Sequence, residues 1–136
     1  MITDQALELR LKQLGYDSKK MMASLKASKH YKRVLEEIND ANKIQLFGMG
    51  GLYLSESFFA RCSSDWIIMT NNQMKIVRYS FGSCDVWVLP YRNIVSYKSC
   101  ASSELYVQVA GEKKRYRIGV FSQAEKAAKV ISNALE

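Results

Sequence analysis

Residues 66–79 read Trp-Ile-Ile-Met-Thr-Asn-Asn-Gln-Met-Lys-Ile-Val-Arg-Tyr, two short apolar runs on either side of a pair of asparagines. The runs at residues 66–70 and 75–79 predict two antiparallel strands. Asn71 and Asn72 tolerate the left-handed backbone that a tight turn between them requires. Apolar residues recur with a period of two, the period of a β-strand, from residue 44 to residue 120. The sequence therefore predicts a domain built on an antiparallel sheet.

Further short strands are expected on both sides of this hairpin. After the turns at residues 81–83 and 111–112, and after Pro90, the period of two resumes each time. The glycines at 48, 50 and 51 are interpreted as another turn, because Leu52-Tyr53 stand where a phosphate-binding loop needs Lys and Ser or Thr. The expected strands are residues 44–47, 52–61, 86–89, 94–97, 105–109 and 113–120.

The C-terminal segment predicts an amphipathic helix over residues 122–135. Ser122 and Glu125 have the spacing of a capping box, with Ser122 as the N-cap. Apolar residues follow at helical intervals, at Ala124, Ala128, Ile131 and Leu135. About seven strands and one terminal helix describe a bent antiparallel barrel or sandwich whose open end the helix caps, an α+β fold.

The first 42 residues predict helices instead of strands. Leu7, Leu11 and Leu14 form one apolar stripe, and a second stripe begins at Met21 and continues to Ile38. Lysines occupy the outer face of this second stripe, but it lacks the Trp and Phe that membrane-surface helices favour. We therefore divide the chain into a helical segment, residues 1–42, and a sheet domain, residues 43–136.

Composition and motifs exclude several classes of protein. The 136 residues are 48% apolar and 24% charged, which is typical of one globular domain. No apolar run approaches the roughly 20 residues of a spanning helix, and the N-terminus does not have the pattern of a signal peptide. We expect a cytoplasmic protein with reduced thiols at Cys62, Cys84 and Cys100.

Catalytic and metal sites are not expected. The three cysteines lie far apart in sequence, and His30 is the single histidine, so the ligand spacing of structural zinc sites is absent. His30 stands in a Lys-rich helical stretch and is interpreted as a solvated surface residue. The sequence offers no nucleophile–base pair, and we expect a protein that is not an enzyme and holds no cofactor.

The hairpin and the strand pair that follows it resemble a known family. The run from Trp66 to Ile76 resembles the Thr-[Asn/Asp] hairpin of bacterial pleckstrin-homology-like domains, and Leu89-Pro90-Tyr91-Arg92-Asn93-Ile94-Val95-Ser96-Tyr97 matches their Pro-Tyr strand pair. A further hairpin and a capped helix complete the pattern, so the resemblance covers residues 44–136; the stand-alone YokE-like group is the nearest. Gln73-Met74 departs from the basic residues that the family often has there.

The resemblance implies a scaffold for protein contacts without common catalytic machinery, sometimes self-assembling through exposed strand edges. Eight tyrosines, five phenylalanines and two tryptophans agree with this, because aromatic side chains are favoured interface anchors. The alternative interpretation is that Trp66, Trp87, Phe58 and Phe59 are simply core residues, and we expect this of most of these four, because aromatic side chains dominate core burial. We therefore expect a protein-interaction module that binds another protein or further copies of itself.

The net charge of +7 leaves an alternative, an anionic ligand such as nucleic acid or a membrane surface. Lys113, Arg115 and Arg117 would alternate about 7 Å apart on one strand face and contact phosphates. Residues 46–54, taken as the first hairpin of the barrel, hold no basic residue, which disfavours specific phosphoinositide binding. The candidate binding residues are Arg92, Lys98, Lys113, Lys114, Arg115 and Arg117.

Overall fold

The computed structural model describes residues 1–54, 65–120 and 122–136. The predictions for residues 55–61, including Phe58 and Phe59, and for Cys62 concern residues outside these ranges. Three helices come first, α1 (Asp4–Gln13), α2 (Ser18–Ala27) and α3 (Tyr31–Glu37). Helix α4 (Ala124–Leu135) ends the chain. In between lie β1 (Leu46–Leu54), β2 (Asp65–Met69), β3 (Gln73–Ser80), β4 (Ser83–Pro90), β5 (Ile94–Cys100), β6 (Glu104–Val109) and β7 (Tyr116–Gly119).

These seven strands form one antiparallel, curled sheet in the order β4-β3-β2-β1-β7-β6-β5. The N-terminal half of β1 pairs with β2, and its C-terminal half pairs with β7, so β1 belongs to two sheets. We call β1–β4 the first sheet and β5–β7, with the end of β1, the second sheet. This confirms the predicted α+β fold of about seven antiparallel strands with a C-terminal helix and N-terminal helices.

The change of sheet along β1 takes place at Gly50 and Gly51. A Cβ atom on Gly50 would overlap the carbonyl oxygen of Gly119 and the Cδ1 atom of Ile67. The prediction of a turn at these glycines is therefore wrong, because they lie inside one continuous strand. Gly50 is needed because the β1 backbone there approaches β7 too closely for a side chain.

A buried ion pair holds the same point of β1. Asp65 is fully buried, and its carboxylate accepts hydrogen bonds from Arg78 Nε at 3.0 Å and Arg78 Nη2 at 2.8 Å. The same carboxylate accepts the Leu52 amide at 3.0 Å, and Arg78 Nη2 donates to the Leu52 carbonyl at 2.7 Å. The pair therefore satisfies both backbone groups of Leu52, just past the change of sheet.

The predicted hairpin and the Pro-Tyr motif meet in the structure. The Thr70 amide donates to the Gln73 carbonyl across Asn71-Asn72, which confirms the tight turn between β2 and β3. The Tyr91 hydroxyl donates to the Thr70 carbonyl at 2.8 Å, and the Tyr91 amide donates to the Asn72 carbonyl at 3.1 Å. Tyr91 thus ties the passage from β4 to β5 onto the β2–β3 turn, and burial raises the pKa of its hydroxyl.

Two apolar cores lie on opposite faces of the first sheet. The inner core fills the space between the two sheets and α4, and it includes Ile67, Met69 and Ile131. The outer core lies between the first sheet and helices α1–α3, and it includes Leu11, Leu25, Trp66 and Ile68. The N-terminal helices therefore cover the sheet, and the outer core contains residues from both sides of position 43.

Polar contacts fix the helices on the sheet. Arg10 donates to the Ile44 carbonyl through Nε at 3.0 Å and Nη2 at 2.8 Å. His30 is buried, and its Nε2 atom accepts the Tyr79 amide at 3.2 Å. The interpretation of His30 as a solvated residue is wrong, since the chain turns after α2 and carries the imidazole against the end of β3.

Helix α4 begins later than predicted, and the capping box does not form. Its N-cap is Gln123, which makes no side-chain capping bond. The Ala124 amide donates to the Ser102 carbonyl at 3.1 Å, so the start of α4 is bonded to the turn between β5 and β6. Gln123 instead donates to the Phe47 carbonyl and accepts a short hydrogen bond from the Tyr16 hydroxyl, which itself accepts the Phe47 amide.

Replacing Ile131 with Asp should unfold the protein, because Ile131 is fully buried in the inner core. An unpaired buried charge costs several kcal/mol, which is a large part of the stability of a domain this size. Thermal denaturation followed by circular dichroism measures the effect. Asn133→Asp adds the same charge on the exposed side of α4 and is the control; equal melting temperatures for the two variants would show that α4 does not cap the core.

Deleting residues 1–42 should make the remaining chain aggregate. The deletion uncovers Phe47, Trp66, Ile68 and Val77, which the N-terminal helices bury in the outer core. A contiguous apolar patch of this kind is an association surface in water. Light scattering of the truncated protein measures aggregation, and a monomeric, folded fragment would contradict the role of the helices as a cover.

Candidate functional site

The predicted binding residues divide among an outer sheet face, the β6–β7 loop and the short turn before β5. Lys98 in β5 lies opposite Tyr106 in β6, which lies opposite Arg117 in β7, so the three side chains share the outer face of the second sheet. The guanidinium of Arg115 lies 5.1 Å from the centroid of the Tyr106 ring, within the range of a cation–π contact. The structure thus brings Lys98, Arg115 and Arg117 together around one tyrosine.

An acidic side chain limits the positive charge of this face. Glu104 lies 3.7 Å from Arg117 Nε and accepts the Tyr106 hydroxyl at 3.2 Å. Glu104 and Tyr106 are two positions apart in β6, so their side chains lie on the same face. The outer face of the second sheet therefore carries three cationic groups, Lys98, Arg115 and Arg117, and one carboxylate, Glu104, which lies beside Arg117.

The other basic residues lie in the loop between β6 and β7. The two strands separate after Val107 pairs with Tyr116, and Gly111 takes a positive φ of 83° within the loop. The predicted strand over residues 113–120 is therefore too long, because only Tyr116–Gly119 is a strand. Lys113, Lys114 and Arg115 are exposed in the loop and do not alternate on a strand face.

Arg92 lies just before β5, at the end of the β5–β6 pair opposite to Cys100 and Glu104. It is exposed in the short 3₁₀ turn Tyr91–Asn93, directly before β5. The Ala110 amide donates to the neighbouring Asn93 carbonyl at 2.8 Å, which places Arg92 beside the start of the β6–β7 loop. Arg92 and the loop lysines therefore lie near the same border of the second sheet.

Two described connections lie toward the end of β1 that finishes at Leu54. The pair Leu54 and Tyr116 puts the β6–β7 loop there. The pair Asp65 and Arg78 puts the β3–β4 turn at that end too. The β3–β4 turn consists of Phe81 and Gly82 with φ of 52° and 83°, as in a type I′ turn, and the Phe81 side chain is fully exposed.

The expected first hairpin has a different position in the structure. Leu46–Leu54 is one strand, so the expectation that these residues form the first hairpin is wrong. The β1–β2 connection is residues 55–64, and Arg61 is its one basic residue by sequence. The number of basic residues in the first hairpin therefore changes from none to one.

The two outermost strands of the sheet differ in regularity. β4 pairs with β3 in an unbroken register from Gln73–Pro90 to Ser80–Ser83. β5 has a bulge between Ile94 and Ser96, where Val95 is 67% exposed. Among the described strands, β4 and β5 each pair on one side only, so each has one unpaired backbone edge.

Reactive and metal-binding groups are scarce in the part of the chain that the structure describes. Within it, His, Cys, Asp and Glu side chains do not gather in groups of three or more. Cys84 is half-buried and Cys100 is exposed, both as free thiols. Burial raises the pKa of the Cys84 thiol, which favours the less reactive protonated form. None of the helices in the described ranges has the length and apolar character needed to cross a membrane.

Comparisons with solved structures agree on one architecture. The N-terminal pleckstrin-homology domain of human ARAP2 matches with a TM-score of 0.54 at 12% identity, over 73% of this chain and 84% of that one. The N-terminal pleckstrin-homology domain of Vps36 matches with 0.52 at 14% identity, over 68% and 81%. The C-terminal domain of an unknown protein from Leishmania infantum matches with 0.51 at 10% identity, over 79% and 94%.

Sequence comparisons add nothing to this result, since no protein-family model and no curated protein matches the chain. The bacterial YokE-like group therefore remains a resemblance carried by short motifs. At identities of 10–14% the structural matches establish the fold and not the ligand. The chain has a pleckstrin-homology-like fold, with three N-terminal helices packed on its first sheet.

Proposed function

We propose that this chain is a non-catalytic protein-interaction module that binds its partner by accepting a strand at the free edge of β4. The observation that carries the proposal is the regular edge of β4, which pairs with no other strand in the described parts of the chain. An exposed strand edge presents a row of unpaired N–H and C=O groups, which is a ready template for a strand of another chain. A second copy of this chain and a different protein would use the same backbone chemistry.

The register of the β3–β4 hairpin defines which backbone groups face outward. In a two-residue turn the flanking residues, Ser80 and Ser83, form a hydrogen-bonded pair, and bonded and non-bonded pairs then alternate. Val86 and Val88 fall at non-bonded positions, so their amides point away from β3. Pro90 also falls at a non-bonded position, where its lack of an N–H group costs no ladder bond.

The side chains of β4 favour association. Asp85 is the one charged residue of the strand, and Val86, Trp87, Val88 and Leu89 form an apolar run. Val88 is 44% exposed, and the half-buried Trp87 ring packs 4.7 Å from the Tyr116 ring. Edge strands that avoid association carry charges or bulges. β5 has both, in Lys98 and the bulge at Val95, whereas β4 has no bulge and its one charge, Asp85, lies outside the apolar run at residues 86–89.

Replacing Val88 with Pro should abolish binding at this edge. The variant loses an outward-facing donor and keeps the β3–β4 hydrogen bonds, and Val88→Lys adds a charge at the same position without changing the backbone. Light scattering coupled to size-exclusion chromatography measures self-association, and affinity capture with each variant measures binding to other proteins.

Val95→Lys introduces the same charge on the bulged edge of β5 and is the matched control. We expect wild type and Val95→Lys to associate and both Val88 variants to lose association, with melting temperatures confirming that all are folded. Retained association in both Val88 variants would exclude the β4 edge. A wild-type protein that neither self-associates nor captures a partner would overturn the proposed function.

A second candidate function, contact with an anionic membrane surface, is supported by the end of the barrel that carries Phe81. The exposed phenylalanine stands at the same end as Lys113, Lys114 and Arg115. An apolar tip beside basic residues suits the interface of an anionic bilayer. The alternative of nucleic acid loses its main support, because the evenly spaced row of charges on a strand is not formed.

Changing Lys113 and Lys114 together to Ser should weaken binding to phosphatidylserine vesicles if the membrane function holds. Each basic residue near an anionic surface contributes about 1 kcal/mol, so the double variant should lose roughly thirtyfold in affinity. Vesicle co-sedimentation measures this, and Phe81→Ser tests the apolar tip. Lys19→Ser with Lys129→Ser removes equal charge elsewhere on the surface; equal losses in both pairs would reduce the contact to a nonspecific effect of net charge.

A further inference from the structure

The positive charge of the chain is concentrated in one short segment. Residues 18–33 contain six of the twenty Lys and Arg residues and no Asp or Glu. The rest of the chain holds fourteen basic residues against thirteen acidic ones, so this segment supplies almost all of the net charge of +7. It comprises helix α2 and the start of α3, both packed on the first sheet and separate from the basic residues of the second sheet.

Helix α2 exposes three lysines and no apolar side chain larger than alanine. Met22 and Leu25 lie on its inner side, buried in the outer core. At about 100° per residue, two alanines follow the middle of the outward side, with lysines on both flanks. The exposed residues of the helix are Lys19, Lys20, Ala23, Ser24, Lys26 and Ala27.

Two of these lysines stand at positions that a helix disfavours. Lys19 and Lys20 are in the first turn of α2, and this turn contains no acidic residue. The first turn is the positive end of the helix dipole, where a cation is destabilising. Unfavourable local choices of this kind are expected at functional sites, so we look for the role of these lysines outside the stability of α2.

The acidic groups beside α2 leave most of its charge available. Asp17 accepts the Lys20 amide at 3.2 Å as the N-cap of the helix. Asp4 lies 3.7 Å from Lys26, whose side chain stays 52% exposed. Among the described residues, Lys19 and Lys20 form no ion pair. The outward side of α2 therefore presents a positive surface to a partner.

We infer that α2 binds the phosphate backbone of a double-helical nucleic acid, independently of its base sequence. Lysine and serine side chains are ordinary phosphate ligands. The small alanine side chains between them let the backbone of a nucleic acid approach the helix closely. The ten residues of α2 extend about 15 Å, and each strand of a duplex carries a phosphate every 3.4 Å or so along its axis. The three lysines can therefore contact separate phosphates.

The outward side of α2 fits a duplex better than it fits other polyanions. Single strands are held by stacking on aromatic side chains, and α2 contains none. A helix in a membrane surface buries Trp, Phe or Leu in the lipid, whereas the apolar side of α2 is covered by the first sheet. A duplex requires mainly positive charge, and its binding does not depend on the proposed strand addition at β4.

Fluorescence anisotropy of a labelled DNA duplex of about 20 base pairs tests the inference on the full-length protein. Affinity should fall steeply between about 50 and about 200 mM salt, and three phosphate contacts alone account for a fall of roughly fortyfold. Changing Lys19, Lys20 and Lys26 together to Gln keeps the helix propensity and should lower the log–log salt slope by about 2.7 units. An RNA duplex of the same sequence distinguishes the two nucleic acids that share this backbone chemistry.

Lys43, Lys113 and Lys129 are exposed outside α2, so changing these three to Gln removes the same charge and is the matched control. The control should keep the salt slope within about one unit of the wild-type slope, and equal melting temperatures would show that both triple variants are folded. The inference is overturned by slopes that fall equally in the two triple variants or by a wild-type protein that does not bind the duplex at low salt. It is also overturned by phosphatidylserine vesicles that bind through the α2 lysines more tightly than the duplex does.

Discussion

The change of sheet along β1 is the constraint on which the rest of this fold depends. One strand supplies partners to both β2 and β7, and the two halves meet where Gly50 lies against Gly119. The ion pair of Asp65 and Arg78 holds the backbone of Leu52 immediately after that point. A buried ion pair must recover its desolvation cost through good geometry, and this one is bidentate with further backbone bonds. Arg78 remains 38% exposed, so its charge keeps part of its hydration.

The first sheet of this protein is covered on both faces. All five residues of β2 are buried, with Ile67 and Met69 facing the inner core and Trp66 and Ile68 facing the helices. An antiparallel strand with one solvated face shows alternating polarity, whereas a strand covered on both faces reads as a continuous apolar run. The apolar run at residues 66–69 therefore indicates that both faces of the sheet are covered. The N-terminal helices cover the outer one.

The sequence predicts those parts of the fold that depend on local chemistry. The Asn-Asn turn, the break at Pro90 and the helix around Ile131 each depend on neighbouring residues, and the structure confirms them. The register of that hairpin also sets Asp65 opposite Arg78, so the ion pair was open to prediction from the spacing of the two residues around the turn. The signal for this ion pair was that Asp65 and Arg78, of opposite charge, lie at equal distances in sequence from the Asn71-Asn72 turn.

The predictions that failed depend on contacts between distant segments. Whether Gly50 turns or continues as a strand is decided by Gly119, about 70 residues later in the chain. The start of α4 is set by a bond from the Ala124 amide to the Ser102 carbonyl, about 20 residues earlier, and Gln123 takes the N-cap position predicted for Ser122. His30 is buried by its contact with Tyr79, and Lys113 leaves the strand because β6 and β7 separate after Val107. The sequence analysis named Lys98, Arg115 and Arg117 as candidates but did not identify their common neighbour, Tyr106.

The triangle of Tyr16, Phe47 and Gln123 has a consequence for how the chain matures during its synthesis. Phe47 obtains its two outward hydrogen bonds from residues near opposite ends of the sequence, and the hydroxyl–amide contact between those residues spans 107 positions. In synthesis, helices α1–α3 are translated before the sheet that they cover, and Gln123 follows all seven strands. The apolar faces of α1–α3 therefore lack their complete cover until Gln123 has been made, and chaperones bind such exposed surfaces. The contact between Tyr16 and Gln123 is nonlocal, so it forms late in folding.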